Sequence, residues 1–286
     1  MRSIKNTKNL WLSDVPKLAR EGNKYDRGHL VILGGTEMTG AARLASEAAM
    51  QVGCGVCTIV SAKETKYIYL SGPPHIMFEA YKSLHDFSDH LTDSRRNACV
   101  IGPGAGRGEA EELRHCIKNV LGFKKPTVID ADAMNVFQDR HQDLFQALHE
   151  NCVLTPHEGE FARLFPFLSG TRVERVQKAA ELAGAVVVLK GPETIICNPG
   201  GEMIINDHST PLLATAGSGD VLAGMIGGFL AGGMPIFKAC AAAAWIHGEA
   251  ALQFGPGLTA PNIIAQIPNV LRGLTQDKQG YDKVYS

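Results

Sequence analysis

The chain has 286 residues, 45% apolar and 20% charged, with 28 Lys and Arg against 29 Asp and Glu. Such a composition supports a sizeable core and excludes disorder, and a formal charge of −1 gives nucleic acid no electrostatic hold. Seven cysteines and a start without an apolar signal core point to reduced thiols in the cytoplasm, not to a disulfide framework.

Cys54 and Cys57 have CxxC spacing, but no second pair accompanies them. Their context, GCGVCTIV, reads as a buried strand, so core thiols are preferred over redox or zinc chemistry. The uncharged run Val221–Phe237 carries five glycines and is shorter than a membrane span, so it reads as a tightly packed helix followed by a break.

In chain order, strands are expected at His29–Leu33, Val56–Ser61, Ala98–Gly102, Thr127–Asp130, Cys152–Thr155 and Val186–Lys190. Helical periodicity falls at Gly40–Val52, Gly108–Leu121, Gln142–Glu150 and Thr171–Ala183. This alternation predicts an α/β protein with a mostly parallel central sheet and helices on both faces. ETIICNPGGEMIIND reads as an antiparallel hairpin at the sheet's edge. Further helices are expected near Gly219–Gly232, Pro235–Phe254 and Pro261–Leu271. One domain spans 1–286, with residues 1–23 as an N-terminal extension and 273–286 as a C-terminal tail.

Ligands of open parallel sheets bind at the carboxyl ends of the strands, so the residues after each strand carry the functional signal. After the first comes LGGTEMTGAARLA. Gly35 and Gly40 have Walker A spacing, but Ala41-Ala42 replace the Lys-Ser/Thr that such a loop needs. GPGAGRGE follows the third strand and fails the dinucleotide fingerprint at Arg107. It leaves a turn of Gly102, Gly104 and Gly106 able to cradle an anion or ribose. DADAMN places Asp130 and Asp132 at a buried strand end, either as ligand or metal contacts or as helix caps.

TPHEGE puts His157 and Glu160 on one side of a first helical turn, and Glu160 suits a hydrated magnesium ion. KGPET ends a buried strand with Lys190, whose charge calls for an anion, beside Gly191-Pro192 and the Thr194 hydroxyl. The strongest element is ATAGSGDVLAGMIGG. Ala216, Gly217, Ser218 and Gly219 feed a helix whose amides and dipole suit a transferring phosphoryl group. Asp220 in the first turn suits a general base.

The run Thr215–Asp220 resembles the GAGD anion-hole signature of ribokinase-like kinases, which implies a three-layer α/β/α fold with Asp220 as base. GG-x4-GAA, GPGxG, DADAMN, LTPHEGE, KGPET and LATAGSGDVLAG, in this order from about Lys24 to Leu271, resemble the ADP-dependent NAD(P)H-hydrate dehydratases. Thr36 and Asn262 depart from common residues of that family, which bears on local loop geometry.

The resemblance implies that Ala41, Gly104 or Gly106, His157 and Asp220 contact hydrated NADH or NADPH (NADHX or NADPHX). Lys190, Gly191, Pro192, Glu193, Thr194 and Gly219 would hold ADP or ATP, and Mg²⁺ would lie near Glu160. Gly217, Ser218 and Gly219 would stabilise transition-state charge. It further implies a homotetramer and a separate NAD(P)HX epimerase as working partner. Two alternatives stay open: a kinase of a small vitamin-precursor alcohol, and a catalytically silent nucleotide-binding protein.

Overall fold

The computed structural model of the chain describes residues 3–17, 21–106 and 108–276. Its strands are β1 (Ser3–Lys5), β2 (His29–Leu33), β3 (Val56–Ala62), β4 (Ile76–Tyr81), β5 (Ala98–Ile101), β6 (Thr127–Ile129), β7 (Cys152–Leu154), β8 (Val186–Leu189), β9 (Thr194–Cys197) and β10 (Met203–Asn206). They form one sheet in the order β1-β10-β9-β8-β7-β6-β5-β2-β3-β4. Only β9 runs against its neighbours, antiparallel to both β8 and β10. Parallel strands such as β2 and β8 are apolar and buried throughout, as coverage of both faces requires.

The helices are α1 (Thr39–Gln51), α2 (Lys66–Leu70), α3 (Ala110–Gly122), α4 (Asp132–Asn135), α5 (His141–Ala147), α6 (Glu158–Leu164), α7 (Arg172–Ala183), α8 (Ser218–Ala231), α9 (Ile236–Phe254) and α10 (Ala260–Gln276). Alternate residues of a strand feed two separate cores, which makes three layers. Leu30 and Ile32 pack with α1, α8, α9 and α10, whereas Val31 and Leu33 pack with α3, α5, α6 and α7. All seven cysteines are free and buried, and none of the described helices is long and apolar enough to cross a membrane.

The glycines of GMIGG have a packing reason. A Cβ on Gly224 would run into the backbone of Ala45, and one on Gly228 into the backbone of Ala49. The pairs advance together along both chains, so α1 and α8 run parallel, almost backbone to backbone. This brings their N-termini to the same end of the sheet, the end where the parallel strands finish.

One sequence expectation is corrected. The hairpin β9–β10 is not the edge, because β1 adds in parallel outside β10. Within the expected extension 1–23, Trp11 is fully buried and donates through Nε1 to Asn6 Oδ1 at 3.1 Å. A three-residue strand and a single Trp give too little periodicity to be read from sequence. β4 and the 3₁₀ segment Leu84–Leu91 were also not anticipated. Of the proposed tail 273–286, residues 273–276 continue α10, and the rest lies outside the described residues.

Candidate active site at the carboxyl ends of the strands

Gly102, Asp130, Thr155 and Lys190, expected as strand ends, lie just past β5, β6, β7 and β8 and belong to the loops above them. There the charges converge. Lys190 Nζ donates to Asp130 Oδ1 at 3.0 Å and stands 3.9 Å from Glu160 Oε2. Thr155 Oγ1 also donates to Asp130 Oδ1, at 2.7 Å. Burial works against the Lys190 charge, but Asp130 and Glu160 more than offset it, and its pKa is raised. Lys190 is therefore a fixed cation.

Asp220 sits in the first turn of α8, behind Gly217. The Gly217 φ of 85° is easy only for glycine. No side chain caps this helix end; the Ser218 amide donates to the Thr215 carbonyl at 3.3 Å, and Gly219 packs so near Lys190 that a Cβ on it would lie 3.3 Å from Nζ. Burial, then repulsion from Asp130, raises the Asp220 pKa to about 7; Lys190 pulls it down, and Glu160 and Asp132 push it further up. A carboxyl that titrates near neutrality suits proton abstraction.

His157 caps α6 through its ring. Its Nδ1 accepts from the amides of Gly159 at 2.9 Å and Glu160 at 3.3 Å. That acceptor role leaves the ring proton on Nε2. Glu160 Oε2 in return accepts from the His157 amide at 2.8 Å. The two exchanges close a capping box. Glu160 is thus both cap and charge.

The DAD motif divides its carboxylates. Ala131 takes a φ of 47°, which is strained for a residue with a Cβ. On one side of it Asp130 meets Lys190; on the other Asp132 Oδ2 accepts from the Gly106 amide at 3.0 Å. Asp132 so braces the glycine turn of GPGAG. That turn meets the first loop closely: a Cβ on Gly35 would run into the Gly104 carbonyl, and one on Gly104 would lie 3.1 Å from Ala41 Cβ.

A cavity of about 730 Å³ opens between the loops that follow β7, β8 and β10, lined by His157, Lys190, Gly191, Pro192, Thr194 and Gly219 among others. Glu193 does not line it, and its carbonyl instead accepts from Arg172 Nη1 at 3.1 Å. Ala41, Gly104 and Gly106 also lie apart from this cavity, across the glycine turn. A second cleft, of about 550 Å³, begins at Gly35 and Gly106.

The sequence reading passed over two residues. Thr155 anchors Asp130. His247 of α9, buried in an alanine-rich helix, places Nε2 3.0 Å from the Ser218 carbonyl and 3.2 Å from Ser218 Oγ. Burial lowers its pKa to about 4, so it is neutral. A lone His in AAAAWIHGEAA was the available signal.

Among the described residues no group of three or more His, Cys, Asp or Glu is placed to hold a metal ion directly. Yet Asp130, Asp132, Glu160 and Asp220 all act on this one locus against the charge of Lys190. Such an excess of carboxylate fits a magnesium ion that keeps most of its water and is shared with nucleotide phosphates.

The family described as NAD(P)H-hydrate dehydratase matches residues 29–269. The chain is 36% identical to the ADP-dependent (S)-NAD(P)H-hydrate dehydratase of Neisseria meningitidis serogroup B, over 90% of this chain and 88% of that one. It is 35% identical to the bifunctional NAD(P)H-hydrate repair enzyme of Thermosynechococcus vestitus over 81% of its length, but spans only 46% of that longer protein. Among solved structures it resembles the ADP/ATP-dependent NAD(P)H-hydrate dehydratase of Bacillus subtilis, co-crystallised with ATP and Mg²⁺. The TM-score is 0.83 at 26% identity, covering 96% of this chain and 99% of that one. The three-layer architecture is ribokinase-like. On the match across nearly all of its sheet and helices, the chain belongs to the NAD(P)H-hydrate dehydratase family.

Proposed function

We propose that the chain dehydrates NADHX or NADPHX at the expense of ADP, with Asp220 as the base and the amide-lined start of α8 as the anion hole. The observation that carries this reading is Asp220 itself, a carboxyl with a pKa of about 7 at an uncapped helix N-terminus. Dehydration of hydrated nicotinamide nucleotides is the activity of the family.

Hydroxide leaves a ring carbon poorly, so the hydroxyl must first become a better leaving group. Asp220 takes the hydroxyl proton, and the oxygen attacks the terminal phosphoryl group of ADP, whose bond to AMP breaks. Amides of Gly217 and Gly219 would meet the charge that develops, whereas that of Ser218 donates to the Thr215 carbonyl, and Lys190 adds a fixed cation. The lone pair of the ring nitrogen then expels phosphate, and loss of a proton from the neighbouring carbon restores the reduced nicotinamide. The products are AMP, phosphate and NAD(P)H. Magnesium near Glu160, when bound, would supply neutralising charge on the phosphates.

The 730 Å³ cavity is the proposed adenine nucleotide site, with Lys190, Gly191, Pro192, Thr194 and Gly219 on its wall. Glu193 enters only through the conformation of its loop, braced by Arg172. His157 offers its Nε2 proton to the hydrated nucleotide, and Ala41, Gly104 and Gly106 form its backbone cradle. A cytoplasmic location fits seven unpaired thiols.

Homotetrameric assembly is part of the proposal, supported by Tyr67, Ile68, Leu70 and Met77, exposed on α2 and on the sheet edge. The bifunctional relatives support joint work with an epimerase. A vitamin-precursor kinase would instead release a stable phosphate ester. Incubation with NADHX, ADP and Mg²⁺ separates the two: the dehydratase yields phosphate and NADH, and a phosphorylated product that accumulates would overturn it.

A further inference from the structure

One wall of the 730 Å³ cavity is the segment that runs from the end of β10 to the start of α8. Ser209, Thr210, Pro211, Leu213, Ala214 and Thr215 line the cavity there. Among the described residues, the hydrogen bonds of 209–216 stay within the segment and its junction with α8, as when the Leu213 amide donates to the Thr210 carbonyl. Leu212 and Leu213 rest on the core, and the remaining support comes from the two ends.

Both ends meet one turn of α9, where His247, Gly248 and Glu249 are consecutive. His247 holds the far end, its Nε2 lying 3.0 Å from the Ser218 carbonyl. The near end is His208. A carboxylate can only accept, so His208 Nε2 donates to Glu249 Oε2, at 2.7 Å. Gln253 Nε2 donates to the other carboxylate oxygen at 2.9 Å and fixes its orientation.

Three further contacts seat His208. Its ring stacks on Trp245, with centroids 4.5 Å apart and planes 9° from parallel. Trp245 packs in turn on the buried Trp11, at 5.8 Å. The His208 carbonyl accepts from Asn206 Nδ2 at 3.1 Å and lies so close to Gly248 that a Cβ there would be 1.9 Å from it. Neither His208 nor Glu249 lines the cavity itself, so both act on it through the segment.

Resting on the dehydratase reading, we infer that His208 and Glu249 are positioning residues for ADP, fixing the start of this wall as His247 fixes its end at the anion hole. A wall ordered before binding removes an ordering cost from the nucleotide. The two ends divide the work. Loosening the start weakens ADP binding, whereas loosening the end disturbs charge stabilisation and slows turnover.

The test measures ADP binding by titration calorimetry, and kcat and both KM values with hydrated NADH, for His208→Ala, Glu249→Leu and Glu249→Gln. The first two should raise the Kd and KM for ADP by about fivefold or more, with kcat and the KM for hydrated NADH little changed. Glu249→Gln keeps an acceptor for the His208 N–H and should recover most of the affinity. The fitted stoichiometry counts only binding-competent protein, so partial unfolding does not distort the Kd. ADP affinity unmoved by His208→Ala and Glu249→Leu would overturn the inference, as would parallel losses in kcat and both KM values, or equal effects of Leu and Gln at position 249. Wild-type protein that binds ADP but leaves hydrated NADH unchanged would take down the dehydratase reading, and the Kd series would still decide the positioning role. Wild-type protein that does not bind ADP would take down both.

Discussion

Lys190 Nζ stands 3.0 Å from Asp130 Oδ1, and the two act on the charge of Asp220 in opposite directions. Lys190 lowers the Asp220 pKa and Asp130 raises it, with burial the larger influence, and the outcome is about 7. A half-buried lysine just past β8 is thus part of the tuning of a base that follows it by thirty residues in sequence.

The base works only as the carboxylate, so kcat/KM should fall as pH drops through about 7. Asp130→Asn removes a charge that raises this pKa, so the acid limb should move to lower pH. Removing the Lys190 charge, as in Lys190→Met, should move it higher, together with weaker nucleotide binding. A pH–rate profile of each variant checks the signs, and an acid limb that stays in place in both would detach it from Asp220.

The same shift has a stability consequence. An Asp whose folded pKa exceeds its unfolded value of about 3.9 favours folding only while protonated. Its contribution is full below about 4 and lost as pH rises through about 7. Asp220→Asn should therefore be more stable than wild type at pH 8, with the gap closing toward pH 4. Thermal melts across that range measure it; a gap that widens on acidification would contradict the assignment.

Gly224 has no room for a methyl group against the backbone of Ala45. Gly224→Ala should cost about 1–3 kcal/mol, as overpacking does, even though Ala is the better helix former. Urea unfolding reads this directly, and an unchanged or higher midpoint would mean that α1 and α8 do not meet so closely.

Glu160 serves two purposes that one substitution can separate. Gln retains the side-chain acceptor that completes a capping box but has no charge. Glu160→Gln should keep its melting temperature within a few degrees and need several-fold more magnesium for half-maximal activity. Identical magnesium curves would leave Glu160 as a cap alone.

His247 holds the Ser218 carbonyl at 3.0 Å and so steadies the first turn of the anion hole. His247→Leu should lower kcat at least tenfold with little change in KM for ADP, and His247→Gln, which keeps a donor, should recover part of it. Steady-state kinetics of the pair decide; equal losses in kcat from both variants would make the effect one of packing.

Sequence legibility followed the physics of each element. The parallel strands were readable because burial on both faces makes them continuous apolar runs, and the motif loops because their glycines and charges sit directly after such runs. What joined those loops was not readable. Nothing local pairs Lys190 with Asp130 or sends Asp132 to the Gly106 amide, since each bond spans loops brought together by the sheet order. β1 escaped notice because three residues carry no period. β4 did so because it is an edge strand with an exposed Met77 among its residues. His247 is a single histidine on a helix read only as long and apolar.

The measurement closest to the central claim is the return of the reduced-nicotinamide absorbance when the protein meets hydrated NADH, Mg²⁺ and either ADP or ATP. Recovery that requires the nucleotide, favours ADP and is nearly abolished in Asp220→Asn is the predicted result. An active Asp220→Asn protein, or no recovery with either nucleotide from wild-type protein that binds AMP, would contradict it.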